Sequence, residues 1–117
     1  MPAPLALAFA GLMLASTPGS GATEPPPNGA EGFSLAAGHA LGAAAACEQI
    51  ADQRIDSDAD RLGDAIDRLA RDAAERIAAH RLLSRGVSEG GDAVQRGTTD
   101  CAKAEQSLAG IERQLPQ

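Results

Sequence analysis

Two stretches of the chain place small residues at every fourth position, and this spacing restricts the fold more than any other feature. Gly38, Gly42 and Ala46 form one series, and Gly86 and Gly90 form the other. A glycine inside a helix costs about 0.5–1 kcal/mol relative to alanine, so its repeated use needs a compensating contact. Residues four apart share one helix face, and we therefore predict that two helices cross closely here. The alternative is that Gly86 and Gly90 mark a kink or a frayed segment.

The rest of the sequence predicts an all-α protein. Its 117 residues include no Trp, no Tyr and two Phe, so the core must be built from small and aliphatic side chains. The segment from Phe33 to Cys47 is apolar on nearly all sides, which is typical of a buried central helix. No segment alternates β-branched and polar residues, so we predict no strands. We expect a small bundle of about four helices with the Gly/Ala-rich first helix at its centre.

The boundaries of the later helices follow from apolar periodicity and capping residues. We expect Ala51–Ser57 to be a connection and Ser57 or Asp58 to cap the next helix. Asp72 and Glu75 resemble a capping box, which predicts a helix of about four turns, a break, and a longer helix to about Arg96. An apolar series recurs about every 3.6 residues across both helices, as in an amphipathic helix. Its members are Leu62, Ile66, Leu69, Ala73, Ile77, His80, Leu83, Val87, Gly90 and Val94. A last helix should run from Cys101, with Gly97–Asp100 before it, and end at Pro116.

The N-terminal residues resemble an export signal. Leu5–Ala15 is an uninterrupted apolar run, too short for a bilayer span, which takes about 20 residues. Pro18 and Gly19 follow it, and Ser20–Ala22 has the small-x-small pattern of a cleavage site. We predict a signal peptide over residues 1–22, a flexible Pro/Gly leader over 23–32 and a single helical domain over 33–117. This places the protein in the periplasm or outside the cell, with no stable membrane span after cleavage. A misassigned start or a leaderless protein is the alternative.

The two cysteines, Cys47 and Cys101, allow one intramolecular pairing. Each falls on the apolar stripe of its predicted helix, so both thiols should face the interior. In an oxidising compartment such a pair persists as a disulfide. We therefore predict a Cys47–Cys101 disulfide, and the alternative is two buried free thiols.

Two short motifs resemble known sites. GVSEG, at Gly86–Gly90, fits the G-x-S-x-G pattern around a hydrolase nucleophile, but Ser88 follows a helical pattern and no histidine follows it in the chain. Asp56–Asp67 resembles an EF-hand calcium loop, with aspartates at its first, third, fifth, ninth and twelfth positions. Arg61 replaces the glycine that such a loop needs for its turn. We interpret Ser88 as a surface residue and Asp56–Asp67 as an acidic helix start.

No residue pattern predicts a cofactor or a metal. His39 and His80 are the only histidines, and neither has a metal-binding partner three or four residues away. We expect both to be partly buried structural histidines. The net charge of −6 argues against nucleic acid or an anionic membrane as a partner, because both attract basic clusters. The ten basic residues are spread singly among acids, which we interpret as a solvated helix surface.

One combination of features is familiar. The Gly/Ala helix ends in Ala46-Cys47, a glycine-spaced helix follows at Gly86 and Gly90, and TDCA, at 99–102, opens the last helix. This resembles small uncharacterised exported bacterial helical proteins with a single cysteine pair, a resemblance that implies no activity. In format alone the chain is also similar to periplasmic acid-stress chaperones.

We therefore expect a non-enzymatic exported protein that acts as an interaction or envelope-associated module, with an unknown protein partner. An acid-responsive periplasmic holdase is the first alternative, because protonation of 16 Asp and Glu against 10 Lys and Arg would make the net charge strongly positive. A calcium-binding protein and an enzyme are more distant alternatives.

Overall fold

The computed structural model describes residues 29–116, which form four α-helices. These are α1 (Gly29–Ala45), α2 (Asp52–Leu69), α3 (Ala73–Arg96) and α4 (Cys101–Gln114), and no strand occurs within residues 29–116. The predicted all-α fold of about four helices is thereby confirmed. The predicted signal peptide and most of the predicted leader lie outside the described residues. Among the four helices, none combines the length and the apolar character that a membrane crossing requires.

The two later helices begin and end where the capping residues predict. Asp72 is the N-cap of α3, and its carboxylate accepts a hydrogen bond of 2.8 Å from the Glu75 backbone N–H. Asp100 is the N-cap of α4, and its carboxylate accepts a hydrogen bond from the Lys103 backbone N–H. Gly97 ends α3 at φ 78°, a left-handed conformation that glycine adopts without steric cost. These side-chain bonds satisfy backbone groups that the helix ends leave unpaired.

Helix α1 is the central element and contacts each of the other three helices. Its main neighbour is α3, and the two helices meet at the small residues. A Cβ atom built on Gly42 would lie against the carbonyl of Val87, and one on Gly90 would lie against the carbonyl of His39. Both would come closer than 3.0 Å to backbone atoms. The predicted close crossing is confirmed, and the alternative of a kink is not needed.

The same geometry holds at Gly38 and Gly86, so the contact extends over both predicted stripes. Ala46 does not belong to it, because α1 ends at Ala45 and Ala46 is exposed in the following turn. Small residues let helix backbones approach to a distance that any side chain would prevent. The α1–α3 contact is therefore specified by the absence of side chains.

The predicted disulfide joins Cys47, just after α1, to Cys101, the first residue of α4, with a Cα–Cα distance of 5.8 Å. Cys47 is buried and Cys101 is partly buried. The bond closes a loop with a sequence separation of 54 and thereby fixes the start of α4 to the end of α1. Around it lies a core of aliphatic and small side chains, as the composition predicts. The largest members are Leu41, Ile50, Leu62, Leu108, Ile111 and Leu115.

Two predicted helix starts are wrong. Helix α1 begins at Gly29 and not near Phe33, because Ala30 packs in a second small core with Ile66 and Ala79. Helix α2 begins at Asp52, so the expected connection Ala51–Ser57 is mostly helical. Neither Ser57 nor Asp58 caps it: the N-cap is Ala51, which makes no side-chain cap bond.

The apolar series through α2 and α3 is also partly wrong. Leu69 and Ile77 are 48% and 55% exposed, and Ala73 is exposed as well. The break between the helices resets the helical phase, so α3 buries Glu75 and Ala79 before it rejoins the predicted series at Leu83. A single period drawn through two helices cannot detect such a reset.

Candidate functional site

The GVSEG motif forms no catalytic geometry. It lies in the middle of α3, whereas the hydrolase motif is a sharp turn between a strand and a helix. Ser88 is exposed, and Gly86 and Gly90 face the backbone of α1. The glycines therefore serve helix packing, and the serine is a surface residue of the helix.

The EF-hand-like segment Asp56–Asp67 lies entirely within α2. A calcium loop must curl so that its oxygens converge on one ion, and a continuous helix separates them instead. Asp56, Asp60 and Asp64 are exposed, whereas Asp58 is buried. No cluster of three or more His, Cys, Asp or Glu suited to a metal occurs within residues 29–116. The geometry therefore gives the calcium-binding alternative no support.

Of the two histidines that were expected to be partly buried, His80 is partly buried and His39 is not. His39 is exposed on α1, so the expectation is wrong there. His80 is partly exposed, and its Nε2 lies 3.0 Å from the Oδ1 of Asp67. Arg76 lies 3.7 Å from the same carboxylate. His80 and Arg76 therefore tie the start of α3 to the end of α2.

The densest group of charged side chains joins α2 to α4 and is called the α2–α4 cluster below. Its members are Arg54, Asp58, Arg61, Glu105 and Glu112. Arg54 donates from Nη1 to Glu105 at 2.7 Å, and from Nε and Nη2 to the two oxygens of Glu112 at 2.7 and 2.8 Å. Such forked, charge-assisted bonds are among the stronger polar contacts in proteins. They hold two turns of α4 against α2 and raise the pKa of Arg54.

Asp58 is the buried member of this cluster. Its side chain is 3% exposed, its Oδ1 lies 3.4 Å from Arg61, and its Oδ2 is buried without a hydrogen-bond donor. Burial, and next the interaction with the Glu112 carboxyl, raise the pKa of Asp58 to about 6. The bonds from Arg54, and next the interaction with Asp58, lower the pKa of Glu112 to about 2. The two facing carboxyls thus differ widely in proton affinity.

A third carboxylate with a shifted pKa lies at the start of α3. Glu75 is buried and accepts hydrogen bonds from the backbone N–H and the guanidinium of Arg71. The side-chain bond is the larger cause, and both bonds lower the pKa of Glu75. Glu75 therefore bonds to Arg71, the residue before the N-cap, whereas the second bond of a capping box would come from the N–H of Asp72 itself.

An open apolar surface with a cationic rim lies on α3 and is called the Ile77 surface below. It surrounds a groove of about 470 Å³ and is formed by Arg76, Ile77, His80, Arg81 and Ser84. Ile77 has the largest exposed fraction of the big apolar side chains within residues 29–116. Arg81 makes no ion pair with any residue in this part of the chain.

The charge around Ile77 differs from the even distribution expected from the sequence. Segment 68–85 holds five of the ten basic residues and only two acids, which gives it a local charge of +3 in a chain of −6. These five are Arg68, Arg71, Arg76, Arg81 and Arg85. Charge summed in windows along the sequence would have revealed this cluster, which a total charge conceals.

A smaller groove of about 280 Å³ lies at the end of the bundle where α1 begins and α2 and α4 end. Phe33, Leu69 and Pro116 give it apolar walls, and Arg68 and Gln114 lie at its edge. Its volume is just below the range usual for drug-sized ligands. Arg68 has no ion-pair partner within residues 29–116.

Sequence reasoning missed the α2–α4 cluster because it assigned Arg54 to a connection. Arg54 and Asp58 are four residues apart, and Glu105 and Glu112 are seven apart, so each pair shares one helix face. The sequence shows this spacing, but it does not show which helix lies opposite each face.

The chain was also compared with known proteins. No family model, no curated protein and no solved structure matches it.

Proposed function

We propose that the protein is an exported, non-enzymatic interaction module that binds a partner protein through the Ile77 surface. The observation that carries the proposal is the exposure of Ile77, at 55%, inside a segment with a charge of +3. An exposed apolar side chain with a polar rim is typical of a binding surface when it is part of a patch. Here the rim is cationic.

The partner's chemistry follows from the rim. Arg81 has no acidic partner within residues 29–116, and Arg76 and His80 share the single carboxylate of Asp67. A partner that places an apolar side chain on Ile77 and carboxylates beside it would complement both features. We therefore propose an acidic amphipathic helix of another protein as the occupant. Arginine is also enriched among residues that dominate binding energy at interfaces.

The test uses a photoreactive amino acid at Ser84, which lines the groove, in cells that export the protein. Crosslinking should give an adduct of defined mass with one other protein. The adduct should disappear in Ile77→Asp and persist in Ser88→Asp, an equally surface-directed change one turn past the groove. An adduct that survives Ile77→Asp, or none at all, would exclude this surface as the binding site.

A second candidate function is an acid-responsive holdase, and one observation favours it. Glu112 and Glu75 have lowered pKa values because Arg54 and Arg71 hold them, so strong acid must break both pairs. The loosened bundle would then expose its small aliphatic core to unfolded clients. Suppression of client aggregation at pH 2–3, with none at pH 7, would support it. Equal activity at both pH values, or none at either, would contradict it.

A further inference from the structure

The α2–α4 cluster contains a polar group that the proposed binding surface does not use. The Oδ2 atom of Asp58 is buried and receives no hydrogen bond, and the only donor near Oδ1 is Arg61 at 3.4 Å. A buried carboxylate oxygen without a donor is costly, and such a group responds by taking up a proton. Protonation would convert Oδ2 from an unpaired acceptor into a donor.

The charged neighbours of Asp58 come from two helices. On α2 they are Arg54 and Arg61, and on α4 the facing group is Glu112, with Glu105 beyond Arg54. Arg54 donates to both glutamates, and none of its hydrogen bonds goes to Asp58.

The other two helices bring no further charge to Asp58. Helix α1 carries only Glu31 in its first turn and the exposed His39 as titratable side chains. Helix α3 forms ion pairs with α2 at Asp67, nine residues beyond Asp58 and so about 13 Å along the helix. The proton affinity of Asp58 is therefore set locally, within the α2–α4 cluster.

We propose that Asp58 and Glu112 share one proton across the α2–α4 contact in mild acid, and that this contact is a pH-responsive latch that tightens as the pH falls from 7 to 5. In the protonated form, a proton from solvent is bound to Asp58 Oδ2, and the resulting O–H donates to a Glu112 carboxylate oxygen. Glu112 keeps its negative charge and its bonds to Arg54. The pair then holds one charge in place of two.

The direction of the response follows from the two pKa values. Asp58 has a folded-state pKa of about 6 against an ordinary 3.8, so folding favours its protonated form. Its stabilising effect grows as the pH falls through 6 and is complete below about 4. Glu112 has a pKa lowered to about 2, so its contribution is lost as the pH falls from about 4.5 to 2. The latch is therefore tightest at about pH 4–5, where Asp58 is mostly protonated and Glu112 is still ionised.

The experiment is thermal unfolding of the disulfide-bonded protein at pH 7 and pH 5. Lowering the pH from 7 to 5, which is one unit below the Asp58 pKa of about 6, should raise the folded-to-unfolded ratio of the wild type about tenfold. For a domain of this size that corresponds to a rise of roughly 5–10 °C in melting temperature. Asp58→Asn, whose amide imitates the protonated carboxyl, should melt higher than the wild type at pH 7 and show no rise at pH 5.

The matched control is Asp60→Asn, an exposed position on the same helix, which should retain the wild-type rise. His39 and His80 are unchanged in all three proteins, so any contribution that they make to the rise is common to the three. A rise in Asp58→Asn equal to that of the wild type would overturn the proposal. Carbon-13 NMR of the wild-type Asp58 carboxyl provides a second measurement that needs no variant. A midpoint near 6 would support the latch, and one at or below 4 would overturn it.

Discussion

The contact between α1 and α3 and the contact between α2 and α4 are built on opposite principles. In the first, glycines bring two backbones together, and the atoms that meet at the glycines are uncharged backbone atoms. In the second, the long side chains of Arg54, Glu105 and Glu112 bridge the helices. A steric contact without titratable groups does not depend on pH or salt, whereas a contact made of charges depends on both. The chain thus combines a fixed helix pair with an adjustable one.

The disulfide connects these two halves, since it joins the end of α1 to the start of α4. On the chain-entropy model, closing a loop with this separation of 54 stabilises the fold by about 4 kcal/mol. Replacing Cys47 and Cys101 by alanine should therefore have the largest effect of the changes considered. Chemical denaturation should show a loss of that order, or a protein unfolded at 37 °C. A loss below about 1 kcal/mol would mean that core packing and the α2–α4 cluster hold α4 in place without the disulfide.

The steric contact between α1 and α3 is tested by adding a methyl group to its glycines. Gly42→Ala and Gly90→Ala each place a Cβ against a backbone carbonyl, and overpacking costs about 1–3 kcal/mol. Gly63→Ala is the control, because a Cβ on Gly63, inside α2, meets nothing within 4 Å. That change should stabilise the protein by about 0.5–1 kcal/mol. If all three changes stabilise the protein, the backbones of α1 and α3 are not in contact.

The electrostatic half is tested by removing its central cation. Arg54→Ala leaves Glu105 and Glu112 without their donor, and charge-assisted bonds contribute about 1.5–3 kcal/mol when buried. Because Arg54 is about one-third exposed, we expect a loss of about 1–2 kcal/mol that shrinks in 1 M salt. Arg85→Ala, which breaks an exposed pair with Glu89, should cost less than about 0.5 kcal/mol. Equal losses in both variants would show that the α2–α4 cluster is no stronger than a surface ion pair.

The smallest expected effect concerns calcium. Since Asp56–Asp67 is helical, millimolar Ca²⁺ should leave the melting temperature unchanged. A site filled at 100 times its dissociation constant would add about 2.7 kcal/mol. A rise of several degrees that is lost in Asp58→Ala would show that α2 rearranges to bind the ion. The electrostatic contact would then respond to a metal as well as to pH.

What the sequence predicts differs between the two contacts for a physical reason. The glycine spacing predicts a close helix crossing and the cysteine pair predicts a disulfide, and both predictions are confirmed. The caps at Asp72 and Asp100 are local as well. Each of these predictions needs no knowledge of which helix lies opposite.

The α2–α4 cluster could not be predicted because its meaning depends on the facing helix. Asp58 has the sequence context of a solvent-facing acid, but in the folded protein it is buried and faces Glu112 of α4. Similarly, Ile77 continues the apolar period of α2, but the break before α3 turns it outward. In both cases tertiary packing determines the environment, and local periodicity carries no information about it.

The central claim is that one contact is steric and the other is set by protonation, and a single comparison tests it most directly. The free energy of unfolding is measured for the wild type, Gly90→Ala and Asp58→Asn at pH 7 and pH 5. Gly90→Ala should lower the free energy of unfolding by the same amount at both pH values. Asp58→Asn should be more stable than the wild type at pH 7 and equal to it at pH 5. A pH-dependent loss in Gly90→Ala, or an equal effect of Asp58→Asn at both pH values, would contradict it.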